Sequence, residues 1–168
     1  MSSPTPTKAK LIKSVRTFDN GVDDFRITTI DDEISSPDYF WVICRNFEPL
    51  TVGGCQEKVK KDDQVLFAYI VATLGVTTQF LKLSGPNVAT VGETIVITVT
   101  DGGEPGAAIP NAFVESNGVG VGMTGTNGQM NIKFLVAGTQ KFKAMKERGQ
   151  TTTFVRSNQH VIDVFPPA

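Results

Sequence analysis

The sequence predicts a mainly β chain, and three observations predict it. Apolar and polar residues alternate over several short segments, Gly-, Pro- and Asp-bearing turns part those segments, and no stretch carries the period of an amphipathic helix. About seven short strands in the last 90 residues fit a β-sandwich of the immunoglobulin type better than any other class. With 168 residues, the chain is long enough for one ordinary domain or two compact ones.

Residues 1–9, rich in Ser, Thr and Pro, read as a flexible arm that joins no core. Residues 10–78 form a first β-rich domain, with strands predicted over 11–17, 25–30, 39–44 and 64–69. Residues 79–168 form the sandwich. Over 94–100, Ile95, Ile97 and Val99 share one face while threonines dominate the other, the period-2 pattern of a half-buried strand. Met130, Ile132 and Phe134 repeat the device against Asn131 and Lys133, and Phe142 and Ala144 alternate with lysines. Weaker strands are expected over 112–116, 119–123 and 160–164, and Asn127-Gly128 suits the positive φ angles of a hairpin turn. The junction between Thr77 and Pro86 carries Phe80, Leu81 and Leu83, so the two domains are expected to be docked rather than tethered.

Charge and hydropathy narrow the partners. Sixteen basic against seventeen acidic side chains leave a formal charge of -1, with none of the surplus that holds a phosphate backbone, so nucleic acid is not an expected partner. No apolar run approaches the roughly 20 residues that cross a bilayer, and no membrane span is expected. The polar opening lacks the apolar region of a signal peptide; if the protein is exported, that signal has been removed. There is no N-x-[ST] glycosylation acceptor.

Few groups here point to chemistry. Gly120-Val-Gly122-Met-Thr-Gly125 matches the bare dinucleotide fingerprint, but a strand, not a helix, is expected after it, so the glycines read as hairpin and edge-strand residues. Ser157, His160 and Asp163 lie three apart on an extended segment, where neighbours point to opposite faces and lie about 10 Å apart, so no local triad forms. Two cysteines and one histidine are too few for a structural zinc site without carboxylates. The pairs Asp23-Asp24, Asp31-Asp32 and Asp62-Asp63, with Asp101 and Glu104, lack EF-hand spacing and suit turns. No catalytic residue, cofactor or metal is therefore expected, and the protein is not expected to be an enzyme.

Recognition is the remaining chemistry. Tyr39, Phe40, Trp41 and Phe47 are rings of the kind that stack on sugars, anchor partners or fill a core. The loop 46–54 carries Phe47, Pro49 and Leu50 where a turn would normally be polar. With Trp41 they make a candidate recognition surface, or else they cover the core. Cys44 and Cys55 flank that loop and suit either a disulfide across it or two reduced thiols.

Several short motifs also recur in a set order. They include Asp23-Asp-Phe-Arg-Ile-Thr-Thr-Ile30, Tyr39-Phe-Trp-Val-Ile-Cys-Arg-Asn46, Val52-Gly-Gly-Cys-Gln56 and Asp63-Gln-Val-Leu-Phe-Ala-Tyr69, followed by Phe80-Leu-Lys-Leu-Ser-Gly-Pro86, Thr126-Asn-Gly128 and Arg156-Ser-Asn158. Over about residues 23–165 the chain resembles a family of secreted fungal surface proteins, which pair a domain similar to the C-terminal β-grasp domain of transcobalamin with an Ig-like module. The resemblance implies a small β-grasp-like domain docked on an Ig-like sandwich, a secreted or cell-wall location and a Cys44–Cys55 disulfide. It also implies a non-catalytic binding or adhesion role toward a protein or glycan at a cell surface. An alternative of another class is a secreted effector that occupies a host protease or receptor. Asn46-Phe47 stands where the pattern has Asn-Gly, Asp62-Asp63 where it has Gly-Asp, and no helix precedes the strand at Phe25. No cobalamin site is reproduced.

Overall fold

A computed structural model describes residues 12–19, 22–52, 56–71, 74–103 and 105–167, and among these there is no helix. The expected arm, Gly53-Gly54, Cys55 and Glu104 lie outside the described residues. Fifteen strands follow in chain order: β1 (Ile12–Asp19), β2 (Val22–Ile30), β3 (Glu33–Ile34), β4 (Tyr39–Arg45), β5 (Glu48–Pro49), β6 (Val65–Val71), β7 (Thr77–Ser84), β8 (Val88–Thr90), β9 (Thr94–Asp101), β10 (Phe113–Ser116), β11 (Val119–Met123), β12 (Gln129–Lys133), β13 (Gly138–Met145), β14 (Thr152–Val155) and β15 (His160–Phe165).

The second half is a sandwich of two sheets, ordered β11-β10-β13-β15-β8 and β12-β9-β7-β14. Named as in immunoglobulin domains, β7, β9 and β12 stand where strands A, B and E do, and β11, β10, β13 and β15 stand where C′, C, F and G do. This is an Ig-like fold. The alternation read from sequence decides which side chains meet: Ile95, Ile97 and Val99 of β9 pack with Leu81 and Leu83 of β7, Val114 of β10, Phe142 and Ala144 of β13, and Ile162 and Val164 of β15. Among the described residues this core holds no cysteine, and apolar packing ties the two sheets, each buried Leu, Ile or Phe stabilising by roughly 1.5–3 kcal/mol. Phe134 meets Phe142 edge-on at 6.3 Å between centroids, the geometry that ring quadrupoles favour.

Asn127-Gly128 turns the chain, with Gly128 at φ 71°, but it closes no hairpin. β11 and β12 belong to different sheets, so this turn carries the chain from one layer to the other. The two-residue hairpin is instead Asn117-Gly118, both at positive φ, between the paired residues Ser116 and Val119.

The first half comprises two three-stranded sheets, β1-β2-β3 and β5-β4-β6. The mainly β class and the Ig-like sandwich stand as read. The helix around which a β-grasp sheet closes has no counterpart among the described residues. β4 and β6 pair along their whole length, from Tyr39↔Val71 to Arg45↔Val65. The inward residues Cys44 and Ala68 join Phe47 and, across the junction, Phe80 of β7 in a second buried cluster. The expected boundary at residue 78 thus falls inside β7, whose Phe80 faces this cluster while Leu81 and Leu83 face the sandwich core.

Candidate functional site

The outer face of β4 and β6 is the candidate. Successive residues of a strand point to opposite faces, so the register that buries Cys44 and Ala68 turns Tyr39, Trp41 and Ile43 of β4, and Val65, Phe67 and Tyr69 of β6, outward together. Two zones follow. In the upper zone Tyr69 stacks on Tyr39 at 5.6 Å and 21°, and meets Trp41 at 5.1 Å and 40°. The polar tips are tied down: Trp41 Nε1 donates to the Glu33 carbonyl at 2.9 Å, and the Tyr69 hydroxyl to the Ile34 carbonyl at 2.6 Å. Tyr69 therefore touches both rings, and β3 is clamped to the sheet through its backbone. Tyr39 and Tyr69 are offset and Trp41 is tilted by 40° to Tyr69, so the three rings present no single flat platform of the kind that stacks on a sugar.

In the lower zone Ile43, Leu50, Val59, Val65 and Phe67 surround a pocket of about 180 Å³, with the Arg45–Glu57 ion pair at its rim. Val59, Val65 and Phe67 remain 63%, 42% and 40% exposed. A space of this size suits one aliphatic side chain of a partner.

The loop between β4 and β5 is a two-residue turn, since Arg45 pairs with Glu48 and leaves Asn46 and Phe47 between them, at φ 53° and 70°. The turn is of the I′ kind that Asn-Gly normally makes. Asn46 is held on both sides: its amide donates to Asp63 Oδ1 at 2.9 Å, and its Oδ1 accepts from the Gln64 backbone at 2.9 Å. Asp63 also accepts from the Lys60 backbone at 2.8 Å, and these bonds hold its carboxyl below the ordinary carboxylate range.

The expected recognition residues separate accordingly. Phe47 turns inward and is only 8% exposed, packed with Cys44, Ala68 and Phe80 beneath the Lys82 ammonium at 5.9 Å; its role is packing. Pro49 is exposed, Leu50 lines the lower pocket, and Trp41 belongs to the anchored aromatic zone. Sequence reasoning missed Ile43, Val59, Val65 and Phe67. The signal was present in 64–69, where both alternate sets, Val65-Phe67-Tyr69 and Leu66-Ala68, are apolar, so one of them must face outward. Cys44 is fully buried and has no disulfide partner among the described residues; as a thiol it is pushed up to about 11 by desolvation. Its expected partner, Cys55, lies outside the described residues.

The groups weighed for catalysis do not converge. Ser157 is buried, its hydroxyl accepting from the Ala144 backbone and donating to the Asn158 carbonyl, both at 2.8 Å. His160 Nε2 lies 3.1 Å from the Pro86 carbonyl, and Asp163 accepts from the Thr139 hydroxyl at 2.7 Å. Asp101 binds the backbone of its own turn, at Gly103 and Ala107. Among the described residues no three His, Cys, Asp or Glu side chains gather as a metal site would require. The lining of a cleft of about 540 Å³ between the halves includes Gln64, Lys143, Ser157, Asn158 and Gln159, and the Ser157 hydroxyl there is spent on the Asn158 carbonyl. No described helix is long and apolar enough to cross a membrane.

No family model and no curated protein sequence matches the chain. Among solved structures, it is similar to the CARDB domain of a Pyrococcus furiosus protein solved in complex with di-metal ions, with 14% identity and a TM-score of 0.35. That match covers 55% of this chain and 97% of the other. At that score the likeness adds nothing to the strand order described above.

Proposed function

We propose that this protein is a non-catalytic binding module of an extracellular or cell-wall setting, adhesion-like in role, which holds a protein partner on the outer face of β4 and β6. The observation that carries this reading is the lower zone. Exposed Val59, Val65 and Phe67 surround a pocket the size of one side chain, and a single ion pair sits at its rim. Apolar anchors with a polar rim are the usual anatomy of a protein-binding hot spot. A glycan is the second partner class, and the tilt between Trp41 and Tyr69, which leaves no flat platform of rings, disfavours it. The resemblance of its motifs to those of secreted fungal surface proteins supports the setting, and a Cys44–Cys55 disulfide belongs with it. An effector that engages a host protein would use the same face.

The test compares the wild-type chain with Val65→Ser/Phe67→Ser, made in an oxidising compartment. Intact mass before and after reduction should differ by about the two protons that one closed disulfide removes. Wild type should retain cell-surface proteins on a column and leave insoluble wall polysaccharide unbound, and the double variant, melting near the wild-type temperature, should lose that retention. Polysaccharide binding that ignores the double substitution would refute the protein-partner reading, and two free thiols would remove the extracellular setting from it.

A further inference from the structure

We propose a second, independent site on the sandwich: a groove for an amphipathic carboxylate, a small molecule with an apolar body and one acidic head. The register places Phe113 of β10 directly opposite Met123 of β11 on one side and Met145 of β13 on the other. Their inward neighbours Val114 and Ala144 are fully buried, so this row of ring and thioethers lies on the outer face. Three strands about 4.8 Å apart make the row roughly 10 Å long. Phe113 can lie flat because Gly120 has no Cβ; one there would stand 2.4 Å from the Phe113 Cζ. Phe154 of β14 closes one wall, and the whole groove encloses about 670 Å³, within the ordinary range for small-ligand sites.

Charge selects the ligand. Two cations line this apolar trough, and neither has a carboxylate partner among the described residues. Lys146 is held in place by donating to the Pro110 carbonyl at 2.6 Å, with its ammonium 5.2 Å over the Phe154 ring, and keeps further N–H groups for a ligand. Arg156 finds only the Met145 sulfur at 3.7 Å, a weak acceptor for a guanidinium that can grip a carboxylate with two parallel bonds. One acid, Glu147, stands exposed among the lining residues, which leaves the groove net positive by one charge. Two thioethers give it an adaptable floor that tolerates chains of differing shape. An alkyl or aryl body laid along Met123, Phe113 and Met145 brings its carboxylate to Arg156 and Lys146.

The experiment uses the full chain labelled at methionine methyls and titrated with decanoate, with decanol as the neutral control. Decanoate should shift the Met123 and Met145 methyls saturably and leave that of Met130, half-buried against the sandwich core, in place. Arg156→Gln should weaken decanoate binding by roughly tenfold, the loss of one charged hydrogen bond, without changing decanol binding. Glu147→Gln should strengthen it. Equal binding of decanol and decanoate, unchanged affinity in a folded Arg156→Gln variant, or no shift of Met123 and Met145 at millimolar ligand would each overturn the site. The methyl titration of the unmutated protein decides the matter even if a variant fails to fold.

Discussion

Phe47 is the residue on which the junction turns. A bulky side chain at φ 70° costs on the order of 1–3 kcal/mol, and it persists only where the surroundings compensate. Here they do, through burial against Cys44, Ala68 and Phe80 and through a neighbour with no side chain, since a Cβ on Gly102 would lie 2.3 Å from the Cβ of Phe47. The two positions are therefore coupled. Phe47→Ser should destabilise by about 3 kcal/mol, because it loses the ring and keeps the strained backbone. Phe47→Gly, which also loses the ring but accepts the turn, should be more stable than the serine variant by about 1 kcal/mol. Gly102→Ala should cost about 1–3 kcal/mol in wild type and close to nothing in the Phe47→Gly background, where the clashing Cβ is gone. Urea melts of wild type and the four variants measure this; a Gly102→Ala cost that survives in the glycine background would show that the clash lies elsewhere. From sequence Phe47 looked like a recognition residue because turns are normally exposed. What hides it, the side of β7 bearing Phe80 and the bend at Gly102, lies more than 30 residues away in sequence, beyond any local pattern.

At the scale of elements, the turn before β5 is locked to the turn before β6 by Asn46 and Asp63, and the lock depends on pH. The folded pKa of Asp63 is lowered by the Lys60 backbone bond first and by the Asn46 amide second. Its stabilising contribution is therefore complete at neutral pH, and is lost as the pH falls from the unfolded carboxylate range near 4 through the lower folded value. Raising the pH above neutral leaves it untouched. Side-chain carbon NMR should show Asp63 titrating below the ordinary carboxylate range, with the Asn46 amide signals moving in step; an Asp63 midpoint at or above the ordinary value would break the lock. Long strands were legible either from their own alternation, as in β9 and β13, or from an unbroken run of β-branched and aromatic residues, as in β4 and β6. Five were missed: β3, β5, β8 and β14 span two to four residues, too few for a period to show, and β7, eight residues long, was read as the apolar junction between the halves. Two of them, β8 and β14, exist through parallel pairing with β15 and β7, partners remote in sequence. The β14 run Thr-Thr-Phe-Val did carry a signal in its β-branched and aromatic composition. Asn117-Gly118 carried a plainer one than Asn127-Gly128, since it stands between two segments of strand pattern and closes the hairpin.

The whole molecule is held together by a strand with two loyalties. β7 pairs antiparallel with β9 and parallel with β14, and so belongs to the sandwich, yet its Phe80 enters the cluster of Cys44, Phe47 and Ala68. Val155 of β14 packs against that same cluster from the sandwich side. An apolar junction of this kind lacks the polar, sparsely packed character of a linker, so the halves should lose structure as one unit. Trp41 is the only tryptophan and sits in the first half, while Met130 packs against the core of the second, so each reports on its own half. On heating or in urea, Trp41 fluorescence and the Met130 methyl signal should trace one coincident transition. Phe80→Ala should lower both midpoints equally, by an amount equivalent to about 3–5 kcal/mol, because the ring it removes is shared. If Trp41 unfolds first and the Phe80 substitution leaves the Met130 transition where it was, the junction is a contact between independent domains and not a common core.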